Sequence, residues 1–356
     1  MKKNTTNNEM WDDDEFQSED SLEKVVLLDL IVDKGQELLR IDKFLLHRIP
    51  DTTRNKIQQA IDDGLVLVNQ KMIKSNYKIK PNDHLIVYDY QQYTSTEIIP
   101  EDIPLDIVFE DEDIIIINKP YGMVVHPGHG NHSGTLVNAV AFHLLKNDPN
   151  KELLPRVGLV HRIDKDTSGL LVIGKTERAL LCLSEQFMNH TVKRKYQALV
   201  WGDVENDEGT IRTYIGRHER FRKLFAVYHD DDEKGKHAVT HYKVLERFNY
   251  VTLIECQLET GRTHQIRVHM KYIGHTLFND LMYGGDKILK GTIFSKYKAF
   301  VENCFELCPR QALHAKTLGF IHPSSGKEIL FDRPLPIEME RMIEKWKTYI
   351  KAKGII

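Results

Sequence analysis

The sequence predicts an α+β protein in which a small αβ unit precedes a larger mixed one. Three observations carry this expectation. Residues 41–61 hold two short segments with apolar side chains at helical spacing, and two short apolar runs follow at 65–69 and 84–88. Residues 90–104 are polar and punctuated by Pro100 and Pro104, as a linker would be. Beyond them, short β-branched runs recur between a few helical stretches. The chain of 356 residues is long enough for two or three domains and a sizeable core.

Taken in order, residues 1–24 form an acidic, apolar-poor stretch expected to be a disordered tail. Its three lysines against eight acids leave it at −5, so the total of −3 conceals a body at +2. Such a body binds a polyanion only if its cations cluster on one face. Residues 25–90 make up the first domain. Ile41, Phe44, Leu45 and Ile49 mark one helix, and Ile57, Ala60 and Ile61 mark a second that opens near Thr53 and ends at Gly64. Leu65-Val66-Leu67-Val68-Asn69 and His84-Leu85-Ile86-Val87-Tyr88 are strands, with Asn69-Gln70 a turn. Arg40, Lys43, Arg54 and Lys56 sit at the N-terminal ends of the helices, where the macrodipole also favours phosphate. On residue pattern alone, a solvated basic face explains them equally well.

A linker at 91–104 leads into a second domain at 105–350. Ile114-Ile115-Ile116-Ile117-Asn118-Lys119 reads as a buried strand, 135–145 as a helix capped by Thr135, and 176–189 as another helix. Between them lies His161-Arg162-Ile163-Asp164-Lys165-Asp166-Thr167-Ser168-Gly169, running into Leu170-Leu171-Val172-Ile173. A charged cluster thus sits on a loop where a core strand begins, a common way to present reactive groups. Lys193-Arg194-Lys195-Tyr196 carries three cations into a strand, either as gatekeepers of a sheet edge or as a phosphate-contacting edge with an aromatic at a site mouth. Gly261-Arg262-Thr263-His264-Gln265-Ile266-Arg267-Val268-His269 enters a helix. Arg267 has apolar neighbours on both sides, and a buried arginine requires an anion. Asp164 is the candidate partner.

The four cysteines form no C-x-x-C pair and read as reduced and structural. The 17 histidines include no H-E-x-x-H, so no metal is expected. The N-terminus lacks the apolar core of a signal peptide and no apolar run approaches a membrane span. A cytoplasmic protein without membrane partners is expected.

Two resemblances sharpen this reading. Arg40-Ile41-Asp42-Lys43-Phe44-Leu45, Thr53-Arg54 and Gly64-Leu65-Val66-Leu67-Val68-Asn69 resemble the S4 RNA-binding domain. That resemblance implies that Arg40, Lys43, Arg54 and Lys56 face RNA phosphates. Lys119-Pro120-Tyr121-Gly122, His161-Arg162-Ile163-Asp164 and Gly261-Arg262-Thr263-His264-Gln265-Ile266-Arg267 resemble the RluA family of RNA pseudouridine synthases. The domain order is similar to the RluD branch, which acts on a stem-loop of large-subunit (23S) ribosomal RNA. Gln311-Ala312-Leu313-His314-Ala315 and Arg333-Pro334-Leu335-Pro336 also match, and the likeness spans residues 25–347.

The resemblance implies a catalytic domain with a largely antiparallel mixed sheet, no cofactor, and a monomer acting on RNA. It implies Asp164 as catalytic aspartate, Tyr196 stacking on the target base and Arg267 paired with Asp164. Arg162 would fill the gap left by a flipped uridine, with Ile266 beside it at the substrate. Lys193, Lys195 and Arg262 would contact the RNA. The chain departs from the family pattern at Phe278-Asn279-Asp280-Leu281-Met282-Tyr283, where a glycine usually precedes the aspartate. The chemistry is coherent with these roles. The target base must leave the stack to be reached. An ionised carboxylate in a dry pocket can attack C1′ or assist at C2′, a nearby guanidinium favours that charge state, and an aromatic can hold the uracil as it turns. Two rival readings are a non-enzymatic RNA-binding factor and glycoside hydrolysis by Asp164 with Asp166. The second suffers because residues two apart on a loop need not straddle a bond.

Overall fold

A computed structural model describes residues 25–49, 52–62, 64–89, 98–128, 131–221, 223–229 and 234–354. The expected tail at 1–24 and the linker's residues 91–97 lie outside the described residues. The chain divides into two compact units, residues 1–97 and 98–356.

The first unit contains strand β1 (Val25–Ile31), helices α1 (Ile41–Leu46) and α2 (Arg54–Asp62), and strands β2 (Val66–Val68), β3 (Lys71–Met72) and β4 (His84–Asp89). The strands form an antiparallel sheet in the order β1-β4-β2-β3. Its core joins Ile41, Phe44 and Leu45 of α1 and Ile57 and Ile61 of α2 to Val66, Val68, Leu85 and Val87 of the sheet. These are the positions at helical and alternating spacing, so burial of one stripe per element explains the unit. Gly64 follows α2 at φ +72°, a left-handed turn that glycine adopts without a Cβ penalty.

The second unit is a ten-stranded sheet with helices on it. Its elements are β5 (Ile107–Glu110), β6 (Ile114–Lys119), α3 (Leu136–Asn147), β7 (Ser168–Gly174), α4 (Glu177–Met188), β8 (Lys193–Trp201), β9 (Glu208–Arg217), β10 (Phe225–Tyr228), β11 (Lys236–Arg247), β12 (Val251–Leu258), α5 (Gln265–Tyr272), α6 (Ser295–Leu307), β13 (Leu313–Ile321), β14 (Glu328–Asp332) and α7 (Ile337–Ala352). The order is β10-β9-β11-β12-β8-β13-β7-β6-β5, with β14 paired to β13. Every named pairing is antiparallel except β13 with β7. The sheet is therefore largely antiparallel and mixed, as expected.

The unbroken isoleucine run is explained by burial on both sides of β6. Ile115 and Ile117 face the core that contains α3 and α5, while Ile114 and Ile116 face the core under α4. A third core packs Trp201 and Phe278 against α6 and α7 through Trp346. Residues 98–104, expected as the end of a linker, are instead tied to the second unit. Glu101 N–H donates to Asn138 O, Asn138 Nδ2 donates to Ile99 O, and Ile98 packs on the main core. Proline punctuation marked an extended segment here, and these hydrogen bonds fasten it to α3.

Candidate active site

Asp164 lies in the loop before β7, and two buried cations fix the backbone that follows it. Lys119 is fully buried at the end of β6, and its Nζ donates to Pro120 O, Met123 O and Lys165 O at 2.7–2.9 Å. Arg310 donates to Asp166 O at 3.1 Å while its other edge pairs with Glu338 at 2.9 Å. Ammonium and guanidinium groups are thus committed to loop carbonyls, a strong kind of hydrogen bond. Gly169, at φ +119°, lets β7 approach β13. A Cβ there would come within 2.2 Å of Ala315 O.

Arg267 enters the same place from α5. The helix start is pinned by Gln265, whose Oε1 accepts from Thr260 Oγ1 and Arg262 N, and whose Nε2 donates to Val239 O and Thr240 Oγ1. Arg267 Nη1 then donates to Asp164 Oδ2 at 3.0 Å. The other edge of the guanidinium is bidentate on Asp280, Nε to Oδ2 at 2.7 Å and Nη2 to Oδ1 at 2.8 Å. Burial alone would disfavour the charged guanidinium, but Asp280 and Asp164 outweigh it and raise its proton affinity further. Tyr283 lies beneath the same guanidinium, ring centroid 4.9 Å away.

Asp280 explains the departure in this segment. Asn279 has φ +56°, the left-handed conformation that glycine otherwise supplies and that asparagine tolerates. Its amide also donates to Phe305 O and Cys308 O at the end of α6. Asparagine thus supplies both the left-handed turn before Asp280 and a tie to α6.

Asp164 keeps its other oxygen available. Among the described residues, Oδ1 accepts no hydrogen bond, and the side chain is 20% exposed. His264 Nε2 stands 4.0 Å from Oδ2. Burial holds the His264 ring below its ordinary value despite Asp164, so it is a neutral neighbour. Tyr283 Oη accepts from Phe225 N–H and lies 2.8 Å from His264 Nδ1, which orients the ring.

A cavity of about 610 Å³ opens over this group, and Asp164, Arg162, Ile266, Arg267, Tyr196 and Arg262 all line it. A neighbouring cavity of about 1100 Å³ shares Arg162, Asp164 and Arg267. The structure thus gathers six of the residues singled out in the sequence. Tyr196 is 7% exposed, and burial pushes its phenol above the ordinary range, which suits a stacking surface better than a base. Arg162 is exposed at the mouth, and Ile266 is buried beside Arg267.

Lys193 and Lys195 do not join the cavity. They alternate with Tyr196 along β8, face the opposite side of the sheet from Arg194, and pair with Glu328 and Glu255. The inward cation of the run is Arg194, which sequence reasoning passed over although residues two apart on a strand share a face. Asp280 was also missed as a partner of Arg267, because the pairing crosses a loop. In the first unit, Arg40 and Arg54 both clasp the fully buried Asp42 at 2.9–3.1 Å, with Gln58 adding a third donor. Each guanidinium remains partly open, with side-chain exposures of 38% and 46%. Lys43 is exposed on α1, and Lys56 lies within α2.

Comparison with known proteins finds relatives for both units. The family described as RNA pseudouridylate synthase matches residues 113–272, and the S4 domain matches residues 39–85. A protein of Chlorobaculum parvum called an uncharacterized RNA pseudouridine synthase is 45% identical, over 91% of this chain and 98% of that one. The ribosomal large subunit pseudouridine synthase D of Nitrosomonas europaea is 42% identical, over 89% of this chain and 87% of that one. The solved structure of human RNA pseudouridylate synthase domain containing 4 shares the fold, with a TM-score of 0.52 and 21% identity, over 68% of this chain and 92% of that one.

Proposed function

The chain belongs to the RNA pseudouridine synthase family, and from that premise we propose that it isomerises specific uridines in a stem-loop of large-subunit (23S) ribosomal RNA, using Asp164 as the catalytic carboxylate. The observation that carries this reading is the Asp164 carboxylate at a cavity wall, held on one oxygen by Arg267 and open on the other. The large-subunit assignment is supported by the 42% identical relative from Nitrosomonas europaea and its name.

The reaction breaks the N1–C1′ bond, turns the uracil, and joins C5 to C1′, with the C5–H proton lost to solvent and a proton taken up at N1. The base is extruded from its stack into the cavity, with Arg162 at the mouth taking the place it leaves. Tyr196 offers an apolar ring on which the uracil can rest while it rotates. Asp164 Oδ1 attacks C1′ as N1 leaves and is itself displaced when C5 bonds there, or it takes a proton from C2′ and later returns it. Arg267 fixes the carboxylate for either task. Arg262 and Ile266 complete the wall around the nucleotide. Arg40, Lys43, Arg54 and Lys56 of the first unit, with Lys193 and Lys195 of the second, supply sequence-independent attraction for the RNA backbone. A monomer is the working form in this reading. No described helix is long and apolar enough to cross a membrane, in keeping with a cytoplasmic enzyme that meets ribosomal RNA there.

The test is a pseudouridine map of ribosomal RNA from cells lacking the protein, with and without restoration of the gene. The reading expects one or a few large-subunit pseudouridines to vanish and return. An unchanged large-subunit map would refute the substrate assignment.

A further inference from the structure

Among the described residues three arginines are buried: Arg194, Arg267 and Arg310, at 8%, 4% and 4% exposure. Arg267 has Asp280 and Asp164, and Arg310 has Glu338. Among the described residues, Arg194 has no carboxylate within 4.0 Å and donates no side-chain hydrogen bond, and its buried Nε lacks any partner. A desolvated guanidinium without an anion is expensive, and native structures retain one where something external completes it.

The setting of Arg194 shows what that completion is. It lies next to Tyr196 along β8 and lines the cavity that holds Asp164. Its guanidinium lies 5.5 Å from the centroid of the Phe187 ring, and Phe187 is itself stacked on His161 at 4.4 Å. On another side it rests against Gly261, where a Cβ would come within 2.7 Å of Nη1. The group is thus held by apolar and backbone surfaces at the wall of the cavity. Arg162 and Arg262 line the same cavity and reinforce the positive potential. A planar fork of N–H donors fixed in this way matches the oxygens of a phosphodiester.

We propose that Arg194 is the seat of a backbone phosphate of the RNA, next to the nucleotide whose base enters the cavity beside Tyr196. The inference rests on the function proposed above and assigns it a specific contact. Arg194 is a positioning residue: it anchors the strand so that the extruded sugar arrives over Asp164. The charge that the fold leaves unpaired is neutralised only when substrate is bound, so the affinity it gives is tied to correct seating of the strand.

The experiment uses the full chain and a synthetic large-subunit stem-loop RNA containing the uridine identified by mapping. Arg194→Met keeps an apolar stem on Phe187 and removes the charge, and Arg194→Lys keeps the charge without the fork. The Met variant should bind the RNA about tenfold or more weakly, with a raised KM. Its plot of log affinity against log salt should be shallower by about one charge. The Lys variant should recover the slope but only part of the affinity. The thermal midpoint of the Met variant should equal or exceed that of the parent, since a buried unpaired charge has gone. With single phosphates near the target replaced by neutral methylphosphonate, one linkage should weaken the parent by the same factor and leave the Met variant unaffected.

Parental affinity and salt slope in the Met variant would overturn the proposal. So would a loss that adds to that of every neutral linkage, or a midpoint lowered by several degrees, which would mark a structural role. Failure of the parent to convert the unmodified RNA would refute the proposed function instead, and the binding measurements would still decide the role of Arg194.

Discussion

Arg267 gives Asp280 two hydrogen bonds, at 2.7 and 2.8 Å, and gives Asp164 one, at 3.0 Å. The fully buried Asp280 is therefore the anchor, and Asp164 is the carboxylate that Arg267 presents to the cavity. This division matters because a carboxylate hydrogen-bonded on both oxygens is a weaker and more hindered nucleophile towards a reacting carbon. Asp280 takes up the bidentate edge, and Asp164 keeps one oxygen open.

Replacing Asp280 with Asn should separate these roles. The buried guanidinium would lose its main counter-charge, and stability should fall by about 3–5 kcal/mol. Turnover should fall with it, while RNA affinity, set elsewhere, should stay within a few-fold. Chemical unfolding followed by the fluorescence of Trp201 and Trp346, both in the second unit, measures the first effect. A loss below about 1 kcal/mol would show that Asp280 is dispensable as an anchor.

Two buried histidines make the second unit sensitive to acid. His269 sits between Thr240 and Thr213, with both ring nitrogens within 2.9 Å of a hydroxyl oxygen, and burial pushes it down to about 4. His314 contacts Ser168 Oγ at 2.9 Å, and burial, aided by Arg310, pushes it likewise to about 4. Unfolded histidine takes up a proton near pH 6.5, whereas these do so only near pH 4. The unfolded state therefore binds more protons in between, and stability falls as pH drops from 6.5 towards 4 and is flat above. Each ring contributes a slope of about 1.4 kcal/mol per pH unit. Urea unfolding of the His314→Gln variant from pH 7.5 to 4.5 should show the slope reduced by one such increment. An unaltered slope would contradict the assignment.

Asp42 organises the basic edge of the first unit. Burial would raise its carboxyl, but the hydrogen bonds from Arg40, Arg54 and Gln58 outweigh that and hold it far below the ordinary carboxylate range. Its folded proton affinity is depressed, so its contribution is complete above the unfolded value of 3.8 and is lost only as pH falls well below it. Amide exchange across residues 25–89 should therefore show no weakening due to this group between pH 7 and 4.5. Asp42→Asn should loosen the unit by about 1–3 kcal/mol at pH 7 and weaken RNA binding, because Arg40 and Arg54 lose the shared negative charge that holds them together. Unchanged exchange in that variant would dismiss Asp42 as the organiser.

What could be read from the sequence follows from the range of each interaction. Helical spacing located α1 and α2, and an unbroken apolar run located β6, since those signals lie within a few residues. The Asp164–Arg267 pair was legible because Ile266 and Val268 marked Arg267 as buried and therefore in want of an anion. Arg194 was legible too, since it alternates with two flanking lysines, yet those lysines drew attention to charge instead of side. Asp280 and Arg310 gave no local sign. Their partners, Arg267 and the carbonyl of Asp166, are brought to them by the packing of α5 and β13 around the loop before β7. At Asn279 the departure from glycine looked like altered geometry, whereas the residue adopts the left-handed backbone that glycine favours and its amide fastens the end of α6.

The central claim concerns the open oxygen of Asp164, and a single-turnover measurement tests it most directly. Purified parent and Asp164→Asn proteins are mixed in excess with a large-subunit stem-loop RNA, and pseudouridine is quantified against time while binding is followed in parallel. The account predicts that the Asn variant binds the RNA within a few-fold of the parent and forms product at least about a thousandfold more slowly, as expected for removal of the reacting group. Product formation by that variant at the parental rate would contradict it.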